Sequence, residues 1–572
     1  GESITLAAIT LNNDTSNLLD IDLDGAADGG AKTLTAAGAI AVGQLTVDGQ
    51  NSDDVMNFGS TVTTTGSSIA IGTADTVDFD GSVVAANGLT IATVATDIDL
   101  AADVDLTSTA GNLAANSGVT AINLSGAGTN EISAGGDINL AAVTDGAAIT
   151  ELQISGESIT LAAITLNNDT SNLLDIDLDG AADGGAKTLT AAGAIAVGQL
   201  TVDGQNSDDV MNFGSTVTTT GSSIAIGTAD TVDFDGSVVA ANGLTIATVA
   251  TDIDLAADVD LTSTAGNLAA NSGVTAINLS GAGTNEISAG GDINLAAVTD
   301  GAAIAELQIS GESITLAGVA LDAGGASLLD VDLDGAGDSG AKTLTVTGDV
   351  VVGQLTLDGQ NADDLIDFGA NVDLTVATGA VDLNNNIASL NLSGAGSNII
   401  TATAGDLTLP AVTDGAAITE LGLIGESITL AAITLNNDTS NLLDIDLDGA
   451  ADGGAKTLTA AGAIAVGQLT VDGQNSDDVM NFGSTVTTTG SSIAIGTADT
   501  VDFDGSVVAA NGLTIATVAT DIDLAADVDL TSTAGNLAAN SGVTAINLSG
   551  AGTNEISAGG DINLAAVTDG AA

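Results

Sequence analysis

The sequence predicts an all-β fold, a single-stranded parallel β-helix (β-solenoid) with about 21 residues in each turn. Three observations lead to this prediction. A long block recurs along the chain, short alternations of apolar and polar residues recur at a regular shorter spacing within it, and 74 glycines interrupt the long apolar runs. A long-period repeat is typical of stacked architectures, alternation with period two is typical of strands with one buried face, and frequent glycine disfavours long helices.

The repeat divides the chain into four blocks that we expect to form one continuous rod: 1–155, 156–310, a shortened third block at 311–424 and an incomplete fourth at 425–572. The first two blocks differ only at Thr150 and Ala305. The third lacks the segment equivalent to 60–101, which is the length of two turns, while the sequence on both sides stays aligned. Because each turn of a solenoid contacts only the next, whole turns can be lost without disturbing their neighbours.

The strand positions follow from the side chains that recur at the turn spacing. Phe58, Phe79 and Leu100 follow one another at this spacing, each at the end of a short alternating run. We expect the three side chains to stack in one interior column, with successive turns about 4.8 Å apart. At this spacing the chain makes about 26 turns, and the handedness rule for parallel crossovers favours a right-handed coil.

The charge of the chain restricts its partners. The chain carries 75 acidic residues and four basic ones, a net charge of −71. Binding to nucleic acid depends on lysine and arginine, so nucleic acid is excluded as a partner, and anionic membrane surfaces are disfavoured for the same reason. No run of 18 apolar residues is present, so no direct membrane insertion is expected.

The location that we expect is extracellular, at the cell surface. The chain has no cysteine, which fits an exported bacterial or archaeal surface protein. No signal-peptide pattern is visible. We interpret the chain as a processed subunit or as a section of a longer array.

The composition of the strands and corners resembles that of a known class of proteins. Stretches such as KTLTAAGAIAVGQLTVDGQ and ISAGGDINLAAVTDGAA combine short Leu, Ile and Thr strands with AG, GG and DG corners. In this the chain resembles the β-helical shafts of large bacterial surface proteins, the filamentous-haemagglutinin and autotransporter adhesins. The resemblance covers most of the chain and implies an extracellular, non-enzymatic shaft or filament; it implies no particular site residue.

The residue types disfavour catalysis. Histidine, cysteine, tyrosine, tryptophan and arginine are all absent, which removes the usual general bases, thiol nucleophiles, zinc ligands and sugar-stacking platforms. Pairs of carboxylates alone can hydrolyse glycosides. A β-helix enzyme that acts on polysaccharides is therefore a remote alternative.

A recurring D-x-D-x-D-G stretch is the first candidate site. It looks like the opening of an EF-hand loop, but Ala31 stands where that loop needs a bidentate glutamate. Two other interpretations are a strand with a solvated acidic face and a Ca²⁺ site assembled from carboxylates on adjacent turns. The candidate metal ligands are Asp20, Asp22, Asp24 and Asp28, with the equivalents Asp175, Asp177, Asp179, Asp330, Asp332, Asp334, Asp444, Asp446 and Asp448.

Asp78 and Asp99 are the second candidate site. They lie one turn spacing apart on the same outward column, so their carboxylates are expected about 5 Å from each other on adjacent turns. Asp54 and Asp75 are expected to form another outward pair. Like charges this close repel by about 1 kcal/mol even in water. Ca²⁺, which takes several carboxylate oxygens, is the cofactor that we expect to relieve them.

Two further features have simpler interpretations. The segment 48–54 is a polar corner loop, with a ligand-binding loop as the less favoured alternative. Each block also contains one lysine, first at Lys32. The lysine is expected to relieve local repulsion in an exposed pair worth less than about 1 kcal/mol.

Two classes of function remain open. The first is a non-enzymatic structural protein that forms a surface filament, a sheath or a matrix fibre. The second is the shaft of a large adhesin that presents a separate tip domain. The expected partners are further copies of the chain, end to end or side by side, and surface polysaccharide.

Overall fold

The computed structural model describes residues 1–11, 13–23, 30–178, 185–301, 303–321, 325–333, 340–447 and 454–570. Over these residues every regular element is a β-strand, none is a helix, and the strands pair in parallel with strands about one turn away. The predicted fold class, a parallel β-solenoid, is therefore confirmed. The chain falls into two compact units, Gly1–Ser280 and Gly281–Ala572, each described by itself below.

The first unit contains 32 strands in its described residues: β1 Ser3–Leu6, β2 Ile9–Leu11, β3 Leu18–Asp22, β4 Thr33–Ala36, β5 Ile40–Val42, β6 Gln44–Asp48, β7 Val55–Phe58, β8 Val62–Thr64, β9 Ile69–Phe79, β10 Val83–Ala85, β11 Leu89–Leu100, β12 Leu106–Ser108, β13 Leu113–Ala115, β14 Ala121–Leu124, β15 Thr129–Ala134, β16 Ile138–Leu140, β17 Ala142–Asp145, β18 Glu151–Ser155, β19 Ile159–Leu161, β20 Ile164–Thr165, β21 Leu173–Asp177, β22 Thr188–Ala191, β23 Ile195–Val197, β24 Gln199–Asp203, β25 Val210–Phe213, β26 Val217–Thr219, β27 Ile224–Phe234, β28 Val238–Ala240, β29 Leu244–Leu255, β30 Leu261–Ser263, β31 Leu268–Ala270 and β32 Ala276–Leu279.

The second unit contains 35 strands in its described residues: β33 Thr284–Ala289, β34 Ile293–Leu295, β35 Ala297–Asp300, β36 Glu306–Ser310, β37 Ile314–Leu316, β38 Val319–Leu321, β39 Leu328–Leu333, β40 Thr343–Val346, β41 Val350–Val352, β42 Gln354–Gly359, β43 Asp364–Phe368, β44 Asp373–Val376, β45 Val381–Asp382, β46 Ile387–Leu392, β47 Ser397–Ala402, β48 Leu407–Leu409, β49 Ala411–Asp414, β50 Glu420–Ile424, β51 Ile428–Leu430, β52 Ile433–Thr434, β53 Leu442–Asp446, β54 Thr457–Ala460, β55 Ile464–Val466, β56 Gln468–Asp472, β57 Val479–Phe482, β58 Val486–Thr488, β59 Ile493–Phe503, β60 Val507–Ala509, β61 Leu513–Leu524, β62 Leu530–Ser532, β63 Leu537–Ala539, β64 Ala545–Leu548, β65 Ile556–Ala558, β66 Ile562–Leu564 and β67 Ala566–Asp569.

In the first unit the strands form three parallel columns, one per side of the coil. Column 1 starts with β1 and continues through β4 and β7, column 2 starts with β2, and column 3 starts with β3. The long strands β9 and β11 each cross a corner, so their first halves belong to column 3 and their second halves to column 1. Three strands per turn is the arrangement that the predicted spacing allows.

The length of a turn is not constant. Leu89 pairs with Ile69 across a short turn, whereas Ala196 pairs with Thr165 across a turn that is half as long again. Paired strands lie about 22 residues apart along the chain, and the solenoid has about 24 turns, compared with the expected 26. The excess lies in corner segments, because the strands themselves stay in register while the chain between them lengthens.

The interior is one side-chain layer of aliphatic residues with paired phenylalanines. Phe58 pairs with Phe79, and Phe79 with Leu100, and all three are buried. The rings of Phe58 and Phe79 stack with centroids 5.2 Å apart and an angle of 16° between their planes. The predicted interior column is confirmed. Phe213 and Phe234 repeat the stack at 5.2 Å in the second block.

Identical sequence faces different directions in successive blocks. Strand β1 heads column 1, but its counterpart one block later, β19, lies in column 3, stacked on β16. The second unit behaves in the same way, since β51 stacks on β48 and β45 whereas its counterpart β37 belongs to the column of β40 and β43. A block is therefore not a whole number of turns, and within each unit the later block is displaced by one column from the earlier one.

The shortened block keeps the same columns. Phe368, the counterpart of Phe58, pairs directly with Leu392, the counterpart of Leu124. In the first block two further turns, those of Phe79 and Leu100, separate these positions. The missing segment thus corresponds to two turns and leaves the column assignment unchanged.

Candidate functional site

On column 1, the turns that carry the phenylalanine stack inside the coil present a row of polar and acidic side chains outside it, which we call the acidic ladder. In register on successive turns stand Asn57, Asp78, Asp99 and Asn123. The predicted stacking of Asp78 on Asp99 is present. A surface groove is lined by Asn57, Asp78 and Asp99 of this ladder, together with Phe79, Asp80, Ala101 and Ser125. The fourth block has the same groove along Asn481, Asp502 and Asp523.

Burial and neighbouring carboxylates disfavour the charged form of Asp78. Partial burial raises the pKa of Asp78, and the neighbouring charges of Asp99, Asp97 and Asp80 raise it further. The pKa of Asp97 is raised by burial, then by Asp99 and Asp75. The copies agree, because the pKa values of Asp233 and Asp502 are raised by burial and then by Asp254 and Asp523 respectively. Asp97 was not a sequence candidate, although the alternation in Asp97-Ile98-Asp99 places it on the same outward face as Asp99.

An asparagine amide caps one end of the ladder. Asn123 Nδ2 donates to Asp99 Oδ1 at 2.9 Å, and Asn278 and Asn547 do the same for Asp254 and Asp523 at 3.0 and 3.2 Å. The shortened block provides an internal comparison. There the single Asp367 accepts from Asn391 Nδ2 at 2.9 Å and from Ser393 Oγ at 3.0 Å. A ladder with one acid is satisfied by neighbouring donors, whereas the two-acid ladder keeps an uncompensated charge.

The D-x-D-x-D-G stretch forms a strand, not a metal-binding loop, over its described part. Asp20 and Asp22 lie on β3 facing solvent, while Ile21 between them and Leu23 after them are buried, as expected for a half-buried strand. The equivalent pairs Asp175 and Asp177, Asp330 and Asp332, and Asp444 and Asp446 lie on β21, β39 and β53. The remaining candidates, Asp24, Asp28, Asp179, Asp334 and Asp448, lie outside the described residues.

A second cross-turn pair of carboxylates was missed by sequence reasoning. Asp22 stands in register with Asp48 on the next turn, and Asp177 with Asp203. These turns are longer than the turn from Asp78 to Asp99, so a search at the shorter spacing does not find the pair. Burial raises the pKa of Asp175, and the charges of Glu151 and Asp203 raise it further. The D-x-D-x-D-G stretch and the 48–54 segment, which are separate in sequence, therefore lie on adjacent turns and form one acidic surface.

The expected outward pair of Asp54 and Asp75 is wrong. Asp54 is completely buried. Its carboxylate accepts the backbone N–H of Lys32 at 2.8 Å and that of Asn51 at 3.3 Å. It closes the 48–54 corner, where Gln50 adopts a φ of 58° and its N–H donates to Asp48 Oδ1 at 3.2 Å. A carboxylate used for backbone hydrogen bonds is a structural group, and the segment is a polar turn.

The lysines are also buried, contrary to the expected exposed pairs. Lys32, Lys187, Lys342 and Lys456 are each at most 5% exposed. The Nζ atoms of Lys187 and Lys456 have no hydrogen-bond partner among the described residues, and that of Lys342 donates to the carbonyl oxygen of Leu333 at 3.5 Å. Burial raises the pKa of Asp209, and the backbone hydrogen bonds from Lys187 and Asn206 and the charge of Lys187 only partly offset this. The lysine therefore acts inside the wall and not on the acidic surface.

The described carboxylates stack in pairs and do not converge on a point. Among the residues with an assigned position, no group of three or more acidic side chains is arranged to hold one metal ion. The Ca²⁺ site stays a prediction, and the arrangement that it would use is a cross-turn pair on a groove. No helix able to cross a membrane occurs in the described part of the chain.

Comparisons with known proteins give no relative for this chain. No family model, no curated protein and no solved structure matches it.

Proposed function

We propose that this protein is a non-enzymatic structural component of the cell exterior, whose repeated turns build a filament, a sheath or a matrix fibre. The observation that carries the proposal is the displacement of each block by one column. Asp78 and Asp99 lie on column 1, but their verbatim copies Asp233 and Asp254 lie on column 3. A single binding or catalytic face would need its residues on the same side, whereas a fibre needs only turns that stack.

The first and last described turns expose apolar side chains that an adjacent turn would cover. Among the described residues, the large exposed hydrophobic side chains are those of Leu11 and Leu18 in the first turn and of Ile562 and Val567 in the last. In the interior the same positions are covered by the adjacent turn: Leu11 is 44% exposed but its counterpart Leu166 is 0%, and Val567 is 48% exposed but Val143 is 1%. Unpaired strands with apolar side chains recruit a further strand. The turn that covers them comes from a second copy of the chain or from more of the same polypeptide.

The test is the oligomeric state of the purified 572-residue chain as its concentration is raised. We expect the sedimentation coefficient to increase with concentration and negative-stain images to contain filaments. Val567→Asp places a charge on the exposed edge and should abolish this growth. The matched control Thr90→Asp adds the same charge to an exposed position within the first block and should leave growth unchanged. A chain that remains monomeric at high concentration would overturn assembly through these ends.

The adhesin shaft is the second candidate, and the same end turns support it. In a shaft the covering turn belongs to the same polypeptide, so the isolated chain would stay monomeric or associate without filaments. Surface polysaccharide is the partner that we propose for either form, and glycan-array binding without hydrolysis of the bound glycans tests this. Glycan cleavage would favour the polysaccharide-acting enzyme instead.

Ca²⁺ is the ion that we propose for the acidic ladders. The pairs of Asp78 with Asp99 and of Asp22 with Asp48 place like charges on adjacent turns. A divalent ion that binds carboxylate oxygens would reduce this repulsion. We expect the thermal unfolding midpoint to be higher in millimolar Ca²⁺ than in chelator at matched ionic strength. Equal midpoints would leave the ladders as a solvated surface.

A further inference from the structure

Three identical corners outside the acidic ladders contain a reactive dipeptide. Asparagine is followed by glycine at Asn87-Gly88, Asn242-Gly243 and Asn511-Gly512. The three asparagines are exposed. The glycines have φ values of 90°, 91° and 97°, in the left-handed region that favours glycine.

This dipeptide can react with itself without any other reagent. The backbone nitrogen of the glycine, unhindered by a Cβ, attacks Cγ of the asparagine. An N–Cγ bond forms, the Cγ–Nδ2 bond breaks, and ammonia leaves with the proton from the backbone nitrogen. Water then opens the cyclic imide at either carbonyl and yields aspartate or isoaspartate. Each event adds one negative charge, and isoaspartate also adds a methylene to the main chain.

In this structure the attacking nitrogen is held by the next turn. The N–H of Gly88 donates to Ser108 Oγ at 2.9 Å, and the Ser108 hydroxyl donates to the carbonyl oxygen of Gly111 at 2.7 Å. Ser108 is fully buried, so its hydroxyl has little freedom to turn away. The carbonyl oxygen of Gly88 accepts from the backbone N–H of Ile69 at 3.0 Å on the preceding turn. The Gly88 residue is therefore fixed from both sides.

The other two corners repeat this arrangement. Gly243 N–H donates to Ser263 Oγ and Gly512 N–H to Ser532 Oγ, both at 3.0 Å. The attacking nitrogen is therefore held in all three corners while the turns remain stacked.

We propose that Asn87, Asn242 and Asn511 are sites of spontaneous deamidation, and that Ser108, Ser263 and Ser532 keep them unreacted in the folded solenoid. The stacking of turns thus protects the chain from the gain of charge and from the main-chain insertion that would break the parallel register. In a protein with a net charge of −71, each added charge increases repulsion along the wall.

The test changes one copy and uses the other two as controls within the same molecule. Ser108→Ala is made in the first block alone, and the folded protein is incubated at mildly alkaline pH. The chain is then denatured and cut after its lysines. Fragments 33–187, 188–342 and 457–572 each contain one of the three dipeptides. Their intact masses follow the amide-to-acid conversion separately.

We expect fragment 33–187 to convert about two- to tenfold faster in Ser108→Ala than in the unsubstituted chain, the range that corresponds to the loss of one hydrogen bond. Fragment 188–342 should be unchanged. The unsubstituted chain should convert faster in urea than when folded. Equal rates in the substituted and unsubstituted folded chains, or in the folded and denatured ones, would overturn the proposal.

Ser108→Thr separates the role of the hydroxyl from a loosening of the turn. Threonine already serves at the equivalent corner position, where Thr64 Oγ1 accepts from the N–H of Ala86 at 3.1 Å and donates to the carbonyl oxygen of Ser67 at 2.6 Å. We therefore expect Ser108→Thr to preserve slow conversion. Acceleration equal to that of Ser108→Ala would assign the effect to loosened packing and overturn the role of the hydroxyl.

Discussion

At the residue scale, the acidic ladder leaves one carboxylate of each stacked pair facing another acid. Asp99 accepts from Asn123, but between Asp78 and Asp99 the in-register contact is between two acids. The shortened block removes this contact, because it has only Asp367 between its neighbours. From this like-charge contact we expect the second acid to cost stability.

Replacing one acid of each pair by asparagine should therefore stabilise the solenoid. We expect the triple variant Asp78→Asn, Asp233→Asn and Asp502→Asn to raise the thermal unfolding midpoint at pH 7. The gain should be about 0.5 kcal/mol per site, since partial exposure and salt screen the repulsion. Circular dichroism melts at low salt measure it.

The control for the ladder variant replaces three aspartates whose charged form is stabilised by hydrogen bonds in the folded protein. The carboxylates of Asp14, Asp169 and Asp438 each accept hydrogen bonds from a nearby serine, so their replacement by asparagine should not stabilise. A lower midpoint for the ladder variant than for the unsubstituted chain would contradict the repulsive interpretation.

At the scale of the element, the corners set how closely turns approach. Thr73 bends β9 with a φ of 52°, and Thr93 bends β11 with a φ of 57°. A β-branched residue in this region is strained. The carbonyl oxygen of Thr73 lies so close to the adjacent turn that a Cβ on Gly49 would be 2.0 Å from it. The corner therefore needs glycine at position 49.

Two sets of glycine-to-alanine substitutions test this requirement. Alanine at Gly49, Gly204 and Gly473, each facing such a carbonyl oxygen at about 2 Å, should destabilise by about 1–3 kcal/mol per site because the turns must separate. Alanine at Gly72, Gly227 and Gly496 meets nothing closer than 3.9 Å and should be neutral or stabilising. Thermal melts compare the two sets, and equal midpoints would refute the close approach.

At the scale of the whole chain, turns behave as interchangeable units. The junction Gly369-Ala370-Asn371-Val372 in the shortened block corresponds to Gly59 joined directly to Ala102-Asp103-Val104. Phe368 then pairs with Leu392, and the register is continuous from Leu365 to Phe368 after a shift between Asp364 and Leu365. The first block should accept the same shortening.

Deletion of residues 60–101 should therefore give a folded protein with an unchanged far-ultraviolet spectrum per residue and undiminished resistance to proteolysis. Phe58 would pair with Leu124, as Phe368 does with Leu392. The control deletion of 60–94 does not remove whole turns, so it should misplace the buried face and lower both properties. If both deletions behave alike, register between turns is not what determines folding.

The pH dependence of stability is a further property of the whole chain. The raised pKa values of Asp78, Asp97 and Asp175 mean that the folded state binds protons more readily than the unfolded state. Their contribution is fully present below the ordinary aspartate pKa of 3.8 and is lost as the pH rises through the raised values. The contribution of Asp14 to stability depends on pH in the opposite direction, because hydrogen bonds from Ser16 lower the pKa of Asp14. This contribution is lost only as the pH falls below 3.8.

We therefore expect the unfolding midpoint to rise as the pH is lowered from 7.5 towards the ordinary aspartate pKa of 3.8 at constant ionic strength. The triple asparagine variant of the ladder should show a smaller rise, which links the effect to these carboxylates. A midpoint that falls over this range would show that groups with lowered pKa values dominate.

The sequence by itself determined the fold class, the interior column of Phe58, Phe79 and Leu100, and the outward stacking of Asp78 on Asp99. These follow from alternation and from a spacing that is regular over those turns, and both are local properties of the chain. Only the tertiary structure decided which residues meet where the spacing changes. Asp22 meets Asp48 across a longer turn, and the buried Asp54 closes a corner. The length of each corner sets the register of the next turn. Because a block does not contain a whole number of three-strand turns, verbatim copies of a residue lie on different sides of the coil.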